Sequence, residues 1–194
     1  MMALATRHPD WALGFVDETW WSRLAQPAMH AWTAESSMRL LEHVLPKRDL
    51  DPKALCCYGL LRSGSDHLLL RFAQGRPVSH VTTDFLTWLV QRMAAARKRV
   101  LVVIWDNASW HISREVRTWV RAHNQRVKRE GGVRLLTCRL PVKSPWLNPI
   151  EPRWVHGKRA IVEPTRPLTV AEIISRVCDY FAVEPMAPLQ QHVA

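Results

Sequence analysis

The chain has 194 residues, 47% of them hydrophobic and 23% charged, which is the composition of a folded globular protein and excludes a disordered one. This length allows a single domain with a substantial core that needs no disulfide bonds. The formal net charge of +10 favours a polyanionic partner, most often nucleic acid, although a basic surface that only keeps the protein soluble is the alternative.

Cysteine spacing and hydropathy exclude other classes of protein. The four cysteines form no Cys-x-x-Cys pair, so a zinc site is not expected. No apolar stretch approaches the length of a membrane span, and the N-terminus lacks the apolar core of a signal peptide. These patterns predict a cytoplasmic protein with no membrane partner.

The first half of the sequence is rich in strand patterns. A short apolar strand is predicted at 11–18, ending in Asp17 and Glu18, and a second at 29–33. Residues 54–72 contain two apolar runs around a Ser-Gly-Ser-Asp turn, which is typical of a β-hairpin. Together with the first strand, the hairpin predicts a three-stranded antiparallel meander.

The second half alternates helical and strand patterns. A helix is predicted at 81–99, with Thr82 or Thr83 as its N-cap, and the strand that follows at 100–105 is apolar on both faces, as in a central parallel strand. The order of elements predicts an α/β fold in which three antiparallel strands precede parallel strands in one mixed sheet flanked by helices. The remaining predicted elements are a helix at 114–130 capped by Ser113 and closed by Gly131-Gly132, a strand at 133–140, a loop at 141–149, a helix running to Ala160, and a helix at 169–182 with Thr169 and Glu172 as a capping pair.

Three acidic residues stand near the ends of predicted strands. Asp17 is close to the end of the first strand, Asp106 directly follows the strand at 100–105, and Glu151 opens the helix after the next strand. Because open α/β sheets bind ligands at the carboxyl ends of their strands, we expect the three to converge. Converging carboxylates repel each other unless a cation neutralises them, and Mg²⁺ prefers oxygen ligands. Two such ions, Mg²⁺ or Mn²⁺, can activate the attacking oxygen and stabilise the leaving oxygen in a phosphoryl displacement.

Each acid also has a structural explanation, which the residues alone leave open. Asp17 could belong to a solvated strand end, and Asp106 to an ordinary Asp-Asn turn. With Asn148 as a helix cap and Pro149 in the first helical position, Glu151 would complete a capping box and hold no metal.

Three sequence blocks, "FVDE", "DNASWH" and "SPWLNPIEPRW", occur in this order along the chain. The set resembles the catalytic blocks of DDE transposases, specifically the insertion-sequence branch related to mariner elements. The resemblance implies an RNase H-like core over about residues 11–163, followed by a C-terminal helical tail at 164–194, all in one domain. It also implies that Asp17, Asp106 and Glu151 bind the catalytic metal ions.

The activity that this resemblance implies is Mg²⁺-dependent cleavage of DNA and strand transfer at the ends of a mobile element, in a possible homodimer at the bacterial nucleoid. The family usually has an N-terminal helix-turn-helix region, whereas this chain begins at the catalytic block. Recognition of the element ends is therefore expected either to be absent or to come from a separate polypeptide. The alternatives are a non-catalytic remnant that binds nucleic acid or protein, and a stand-alone nuclease that cuts without joining.

Candidate DNA contacts surround the third block. Basic clusters at 97–99, 126–129 and 156–159 are usually solvated helix faces, but the last follows Glu151 and is the best placed to contact phosphates. Most tryptophans are expected in the core, while Trp20, Trp21 or Trp146 could stack on exposed bases. The candidate DNA-binding residues are Lys143, Trp146, Lys158 and Arg159.

Supporting roles are predicted within the second and third blocks. His111, five residues after Asp106, could contact phosphate, assist proton transfer or orient its loop. Asn107 and Asn148 stand beside the acids as candidate supporting residues. Trp154 is expected to pack the helix after Glu151 onto the sheet.

Overall fold

A five-stranded mixed sheet with helices on both faces forms the centre of the molecule. The computed structural model describes residues 7–24, 45–161 and 166–190. In chain order the strands are β1 (Trp11–Ser22), β2 (Ala54–Arg62), β3 (Leu68–Ala73), β4 (Val100–Trp105) and β5 (Arg134–Arg139). The helices are α1 (Ser79–Ala95), α2 (Ser109–Ile112), α3 (Arg114–Glu130), α4 (Glu151–Ala160) and α5 (Val170–Tyr180), with a 3-10 turn at Pro145–Leu147.

The strand order is β3-β2-β1-β4-β5. The first three strands in the chain pair antiparallel, and β4 and β5 add parallel strands beside β1. This arrangement confirms the predicted α/β class, the hairpin and the change from antiparallel to parallel pairing. The strand predicted at 29–33 lies outside the described residues.

The two faces of the sheet carry separate cores. On one face, α1 and α3 cover residues such as Leu60, Leu101 and Val103. On the other face, α4 and α5 cover β2 and β3 through side chains that include Trp154 and Ile173. All of β4 except its first residue is buried, because a central strand is covered on both sides. The apolar run at 100–105 therefore has the position that its sequence predicts.

β1 is longer than predicted and does not end at its acids. Its first residues pair in parallel with β4 only as far as Phe15, which lies opposite Ile104. Its pairing with β2 continues to Ser22, opposite Ala54, so the backbone stays extended for 12 residues. Asp17 consequently lies within a strand, just past the last residue that pairs with β4.

The N-terminus of α1 corrects the predicted cap. The helix begins at Ser79 after Val78, whose side chain makes no capping hydrogen bond. Thr82 and Thr83 lie inside the helix instead, and their hydroxyls donate to the carbonyls of Val78 and His80. Both threonines are buried, so packing against the sheet outweighs their preference for a cap position.

The caps of α3 and α5 are as predicted. The Ser113 hydroxyl accepts from the backbone N–H of Val116. Thr169 and Glu172 form a reciprocal capping box at the start of α5. The fixed spacing of these motifs makes them readable without tertiary information.

The alternative explanation of Glu151, a capping box with Asn148 as the helix cap, is not what the structure has. The helix α4 begins at Glu151 after Ile150, and no side chain caps it. Asn148 is buried, and its side-chain amide donates to the carbonyl of Val16 in β1 at 3.5 Å. Its side-chain oxygen accepts from the backbone N–H of Ile150 at 3.4 Å, so Asn148 links the segment before α4 to β1, and Glu151 lines the cleft beside β1.

Across the described ranges, no helix is both long and apolar enough to cross a membrane.

Candidate functional site

Asp17, Asp106 and Glu151 line one cleft of about 320 Å³. Parallel pairing of β1 with β4 ends just before Asp17, and Asp106 follows the last residue of β4. The loop after β5 then leads into α4, whose first residue is Glu151. Three acids that are widely separated in sequence therefore meet at the carboxyl edge of the parallel strands, as expected of a ligand site in such a sheet.

Asp17 is in an environment that disfavours its charge. Burial, the nearby Glu151 carboxylate and the adjacent Glu18 together raise the pKa of Asp17 to about 7. The indole N–H of Trp154 donates to Oδ2 of Asp17 at 3.1 Å and opposes this rise only in part. The group is thus half-neutralised by a proton near pH 7, and a cation in the cleft would replace that proton.

Gly59 makes room for the tryptophan that contacts Asp17. It lies directly opposite Asp17 in the antiparallel pair of β1 and β2. A Cβ at this position would stand 2.5 Å from two ring carbons of Trp154, far inside van der Waals contact. Because Gly59 has no side chain, the Trp154 indole can approach β2 closely enough to reach the carboxyl group of Asp17.

The surroundings of Asp106, in contrast, favour its charged form. Its Oδ1 accepts hydrogen bonds from His111 Nδ1 at 2.8 Å and from the backbone N–H of Ala108 at 2.9 Å. The bond with His111 holds the pKa of Asp106 below its ordinary value, against the opposing effect of partial burial. Its side chain is 54% exposed, and among the described residues Oδ2 accepts no hydrogen bond. That oxygen is available to a ligand in the cleft.

His111 is a buried link between two carboxylates. Its Nε2 lies 2.9 Å from Oε1 of Glu18, and its ring stacks on Trp105 with centroids 4.7 Å apart. Burial lowers the pKa of His111, but Glu18 and Asp106 outweigh burial and raise it to about 9. Because only 1% of its side chain is exposed, the geometry is that of a residue that orients Asp106.

Glu18 is the part of the site that the sequence did not reveal. Its side chain is 6% exposed, and besides His111 it accepts a hydrogen bond from the indole N–H of Trp110 at 2.9 Å. The available signal was strand alternation: neighbouring residues of a strand face opposite sides, so Asp17 and Glu18 cannot both be on the cleft side. Only the fold shows that the opposite side of β1 meets His111.

Two asparagines fasten the loops that carry the acids. The side-chain amide of Asn107 donates to the carbonyl of Leu140 at 2.8 Å, which ties the segment after β4 to the end of β5. Asn148 ties the loop before Glu151 to β1, as described above. Both residues also line the cleft, so the sequence-predicted supporting residues lie beside the acids.

The candidate DNA contacts are dispersed around the cleft. Lys143 lines it, with a positive φ of 58°. Trp146 is 76% exposed, and it lines a neighbouring apolar cavity instead of the cleft itself. Lys158 and Arg159 are exposed in the last turn of α4, about 10 Å along the helix from Glu151.

Burial separates the tryptophans that could contact DNA from those that pack in the core. Trp21 is buried against Trp154 and Phe181 in the core under α4, which excludes it from stacking on bases. Trp20 is 44% exposed. Trp154 packs α4 onto the sheet as predicted and in addition bonds to Asp17.

The carboxylate oxygens of Asp17, Asp106 and Glu151 are suitable ligands for Mg²⁺ or Mn²⁺, but the spacing of these side chains suits one ion less well. All three acids supply the oxygen ligands that hard cations prefer, and burial followed by repulsion from Glu151 and Glu18 raises the pKa of Asp17, an unfavourable state that a cation would relieve. Within residues 7–24, 45–161 and 166–190, no group of three His, Cys, Asp or Glu side chains is close enough to hold one ion. Mg²⁺ commonly uses only one or two protein carboxylates, with water and substrate phosphate as its other ligands.

A family described as DDE superfamily endonuclease matches residues 65–173, which is more than half of the chain. The chain belongs to this family. The matched segment contains Asp106 and Glu151, whereas Asp17 precedes it. The predicted family is thereby confirmed, while the roles of the three acids stay predictions.

Solved structures of Mos1 mariner transposase share the fold of this DDE family member. Its catalytic domain is 16% identical, with a TM-score of 0.54, over 94% of this chain and 78% of that one. The paired-end complex with the left transposon end gives a TM-score of 0.61 at 16% identity, and the paired-end complex with Mg gives 0.58 at 18%. The chain spans about half the length of the proteins in those two complexes. A comparison with curated proteins gave no match.

Proposed function

We propose that this chain is the catalytic domain of a DNA transposase that cuts and joins DNA at the ends of a mobile element. Its substrates are the element ends and the target DNA, and its site of action is the bacterial nucleoid. Asp17, Asp106 and Glu151 are the residues that hold the divalent metal ions. Membership of the DDE endonuclease family and the fold shared with Mos1 transposase support this assignment.

The observation that carries the proposal is the meeting of Asp17, Asp106 and Glu151 in one cleft. A buried carboxyl group with a pKa of about 7 beside a second carboxylate is costly, and perturbed groups of this kind cluster at functional sites. The net charge of +10 of the whole chain attracts a phosphate backbone. A basic protein with a concentrated acidic cleft therefore has one region for the polyanion and another for the metals.

The chain's own residues have separate tasks in this mechanism. Asp106 presents Oδ2 to the cleft while His111 fixes Oδ1, so the carboxylate cannot rotate away. Trp154 restrains Asp17 in the same way from the opposite face. When bound, two Mg²⁺ ions would activate the attacking oxygen and stabilise the leaving oxygen of the phosphodiester. The acids act as metal ligands and not as proton donors.

The first test is Asp106→Asn in a plasmid-nicking assay with Mg²⁺ or Mn²⁺. We expect nicking to fall at least about a hundredfold while the melting temperature stays close to that of the wild type, because the amide keeps its shape but loses the charge of a ligand. Asp179→Asn, an exposed position on α5, is the matched control and keeps full activity. Full nicking by Asp106→Asn would refute the assignment.

A non-catalytic remnant is the second candidate, favoured by the observation that no three ligands among the described residues converge on one ion. Titration with Mn²⁺, followed by calorimetry and by nicking of supercoiled plasmid, separates the two. Binding with nicking supports the transposase, and binding without nicking supports the remnant. Nicking without strand joining identifies a nuclease.

Partners complete the proposed reaction. Two ends must be cut and joined together, so a homodimer is the expected active form. Recognition of the end sequence is proposed to come from a helix-turn-helix region, supplied either by a longer form of this chain or by a separate polypeptide. Sedimentation of the chain with and without element-end DNA tests the dimer, and a search of the adjacent DNA for a helix-turn-helix reading frame and inverted repeats tests the second polypeptide.

A further inference from the structure

A second cavity, of about 550 Å³, adjoins the acidic cleft. Three arginines line it, Arg117 and Arg121 from α3 and Arg139 from the end of β5. His111 also lines this cavity, and its ring nitrogen bonds to Asp106 on the cleft side. A single hydrogen-bonded pair therefore separates a basic cavity from an acidic one at the same edge of the sheet.

The arginines have no counter-charge of their own. Among the residues that the structure describes, no carboxylate lies within ion-pair distance of Arg117, Arg121 or Arg139. Arg117 and Arg121 are four residues apart on one helix, where like charges repel. Arg117 also stands in the first turn of α3, where the helix dipole disfavours a cation. An anion in the cavity would relieve both unfavourable placements.

The other end of α3 provides the contrast. Its last turn carries Lys128 and Arg129, where the dipole favours positive charge. These two residues need no ligand to explain them, and neither lines the cavity. The helix dipole therefore explains the basic residues at the C-terminus of α3, but it does not explain Arg117 and Arg121 beside the cavity.

The remaining wall of the cavity is apolar. Trp105, Ile112, Val116 and Val120 contribute it, and Thr137 is the one further polar lining residue besides His111 and the arginines. Its volume is within the range of about 300–1,000 Å³ that is typical of small-molecule sites, which is enough for one nucleotide. Guanidinium groups match phosphate oxygens in geometry and charge, and an apolar wall suits a base or a sugar.

We propose that this arginine-lined cavity binds one nucleotide of the DNA strand that enters the acidic cleft, with its phosphate on Arg117, Arg121 and Arg139 and its base on the apolar wall. The identity of that strand rests on the proposed function. The site itself adds a binding position for the nucleotide next to the reacting phosphodiester, where it would hold the strand in place without taking part in the chemistry.

The test measures binding of a labelled 12-nucleotide single strand to the full chain in EDTA, so that no cleavage contributes. The variant is Arg117→Gln with Arg121→Gln, and the matched control is Arg92→Gln with Arg129→Gln, two exposed arginines in the last turns of α1 and α3. We expect the first pair to weaken binding at least tenfold and to reduce the salt slope by about 0.7, the value for one phosphate of a single strand, and the control pair to weaken binding less than twofold. A strand with an abasic site at each position in turn should bind the wild type at least fivefold more weakly at one position only, and the Arg117/Arg121 variant should lose this difference.

Equal weakening by the two double variants would overturn the proposal, because the arginines would then act only as general positive charge. Indifference of the wild type to every abasic position would overturn it as well. Binding and nicking separate this site from the proposed function. If the chain nicks no DNA and the Arg117/Arg121 variant still loses affinity selectively, the cavity proposal holds and the transposase assignment fails. If this variant nicks DNA normally and its affinity is unchanged, the transposase assignment holds and the cavity proposal fails.

Discussion

Asp17 and Asp106 line the same cleft, yet their surroundings move their pKa values in opposite directions. Burial and two neighbouring acids raise the pKa of Asp17 to about 7, while the hydrogen bond from His111 lowers that of Asp106. Without a cation, the cleft can therefore hold a proton on Asp17 at neutral pH while Asp106 stays charged. Metal binding would release that proton, so affinity should rise with pH through about 7.

Asp17→Asn should make the metal-free protein more stable above pH 7. An acid whose folded-state pKa exceeds its unfolded value destabilises the fold as pH rises from about 4 through 7, since the unfolded chain loses its proton first. The amide removes this penalty, and at pH 8 in EDTA we expect an increase in melting temperature of about 5 °C. The same variant should lose the stabilisation that Mn²⁺ gives the wild type. A lower melting temperature at pH 8 would contradict the burial of a charged Asp17.

His111→Gln should destabilise the protein at low pH, whereas the effect of Asp17→Asn is at high pH. Because the folded-state pKa of about 9 lies above the unfolded value near 6.5, protonated His111 stabilises the fold fully below pH 6.5, and this contribution is lost as pH rises through 9. Urea unfolding at pH 6 and pH 9.5 should show that the wild type loses about 3 kcal/mol more than the variant over this interval. Nicking should fall about 10- to 100-fold, since the ligand Asp106 loses its orienting partner. An equal pH dependence in both proteins would remove His111 from this role.

At the scale of single residues, the sequence pointed to the acids and to His111, Asn107 and Asn148 beside them, but not to the contacts that orient the acids. Asp17, Asp106 and Glu151 stand in short motifs with fixed neighbours, so they can be found without a fold. The partnerships of Glu18 with His111 and of Trp154 with Asp17 span 93 and 137 residues. Such contacts depend on which face of a strand meets which helix, and no local pattern carries that information.

β1 is the element that organises the site. Its first part pairs with β4 and its later part only with β2, so the cleft opens where the parallel neighbour ends. Gly59 in β2 and Trp154 in α4 meet over this point. The strand, its neighbour and the helix are thus fixed to one another by a close contact beside Asp17.

Gly59→Ala should destabilise the protein by about 1–3 kcal/mol, because the added methyl group would stand 2.5 Å from the Trp154 ring, which is itself enclosed by Trp21 and Phe181. Thermal melting should show a fall of a few degrees, and nicking should fall with it because the indole N–H moves away from Asp17.

The compensating variant is Gly59→Ala with Trp154→Phe, whose smaller ring lacks the two carbons in the clash. It should recover part of the melting temperature but not the nicking activity, since the hydrogen bond to Asp17 is gone. Failure of the second substitution to restore any stability would place the cause of the defect elsewhere.

The sequence predicted the N-terminus of a helix correctly only where the capping hydrogen bond is made within that helix. Ser113 and Thr169 cap their helices as predicted because each hydroxyl accepts from a backbone N–H only three residues further along the chain. Thr82 and Asn148 have equally good cap sequences, yet one is buried in α1 and the other bonds to β1. In both cases the sheet offered a partner that the sequence pattern could not show.

On the scale of the whole molecule, charge is unevenly distributed. The chain has 27 basic and 17 acidic residues, but the cleft concentrates three of the acids. Basic residues lie around it at Lys143, at the end of α4 and in the arginine-lined cavity. A polyanion is therefore attracted to the rim, while the acidic centre requires cations before a phosphate can approach it.

Lys158→Gln with Arg159→Gln should weaken duplex DNA binding uniformly across sequences and reduce the slope of log affinity against log salt by about 1.8, if both contact phosphates. Lys47→Gln with Arg48→Gln is the matched control, because it also removes an exposed, adjacent lysine and arginine. Filter binding at several salt concentrations measures both slopes. An unchanged slope in the Lys158/Arg159 variant would remove this end of α4 from the DNA surface.

The neighbouring acids of β1 also make the strand intolerant of misalignment. Because alternate residues point to opposite faces, a shift of one position against β2 and β4 would carry Glu18 to the cleft side and leave Asp17 on the side of His111. A protein misaligned in this way would keep the same number of carboxylates and much of its secondary structure. The longer side chain of Glu18 would, however, occupy the position of Asp17. Correct assembly of this sheet is therefore a condition for chemistry as well as for folding, and a misfolded fraction would look native to circular dichroism while cutting nothing.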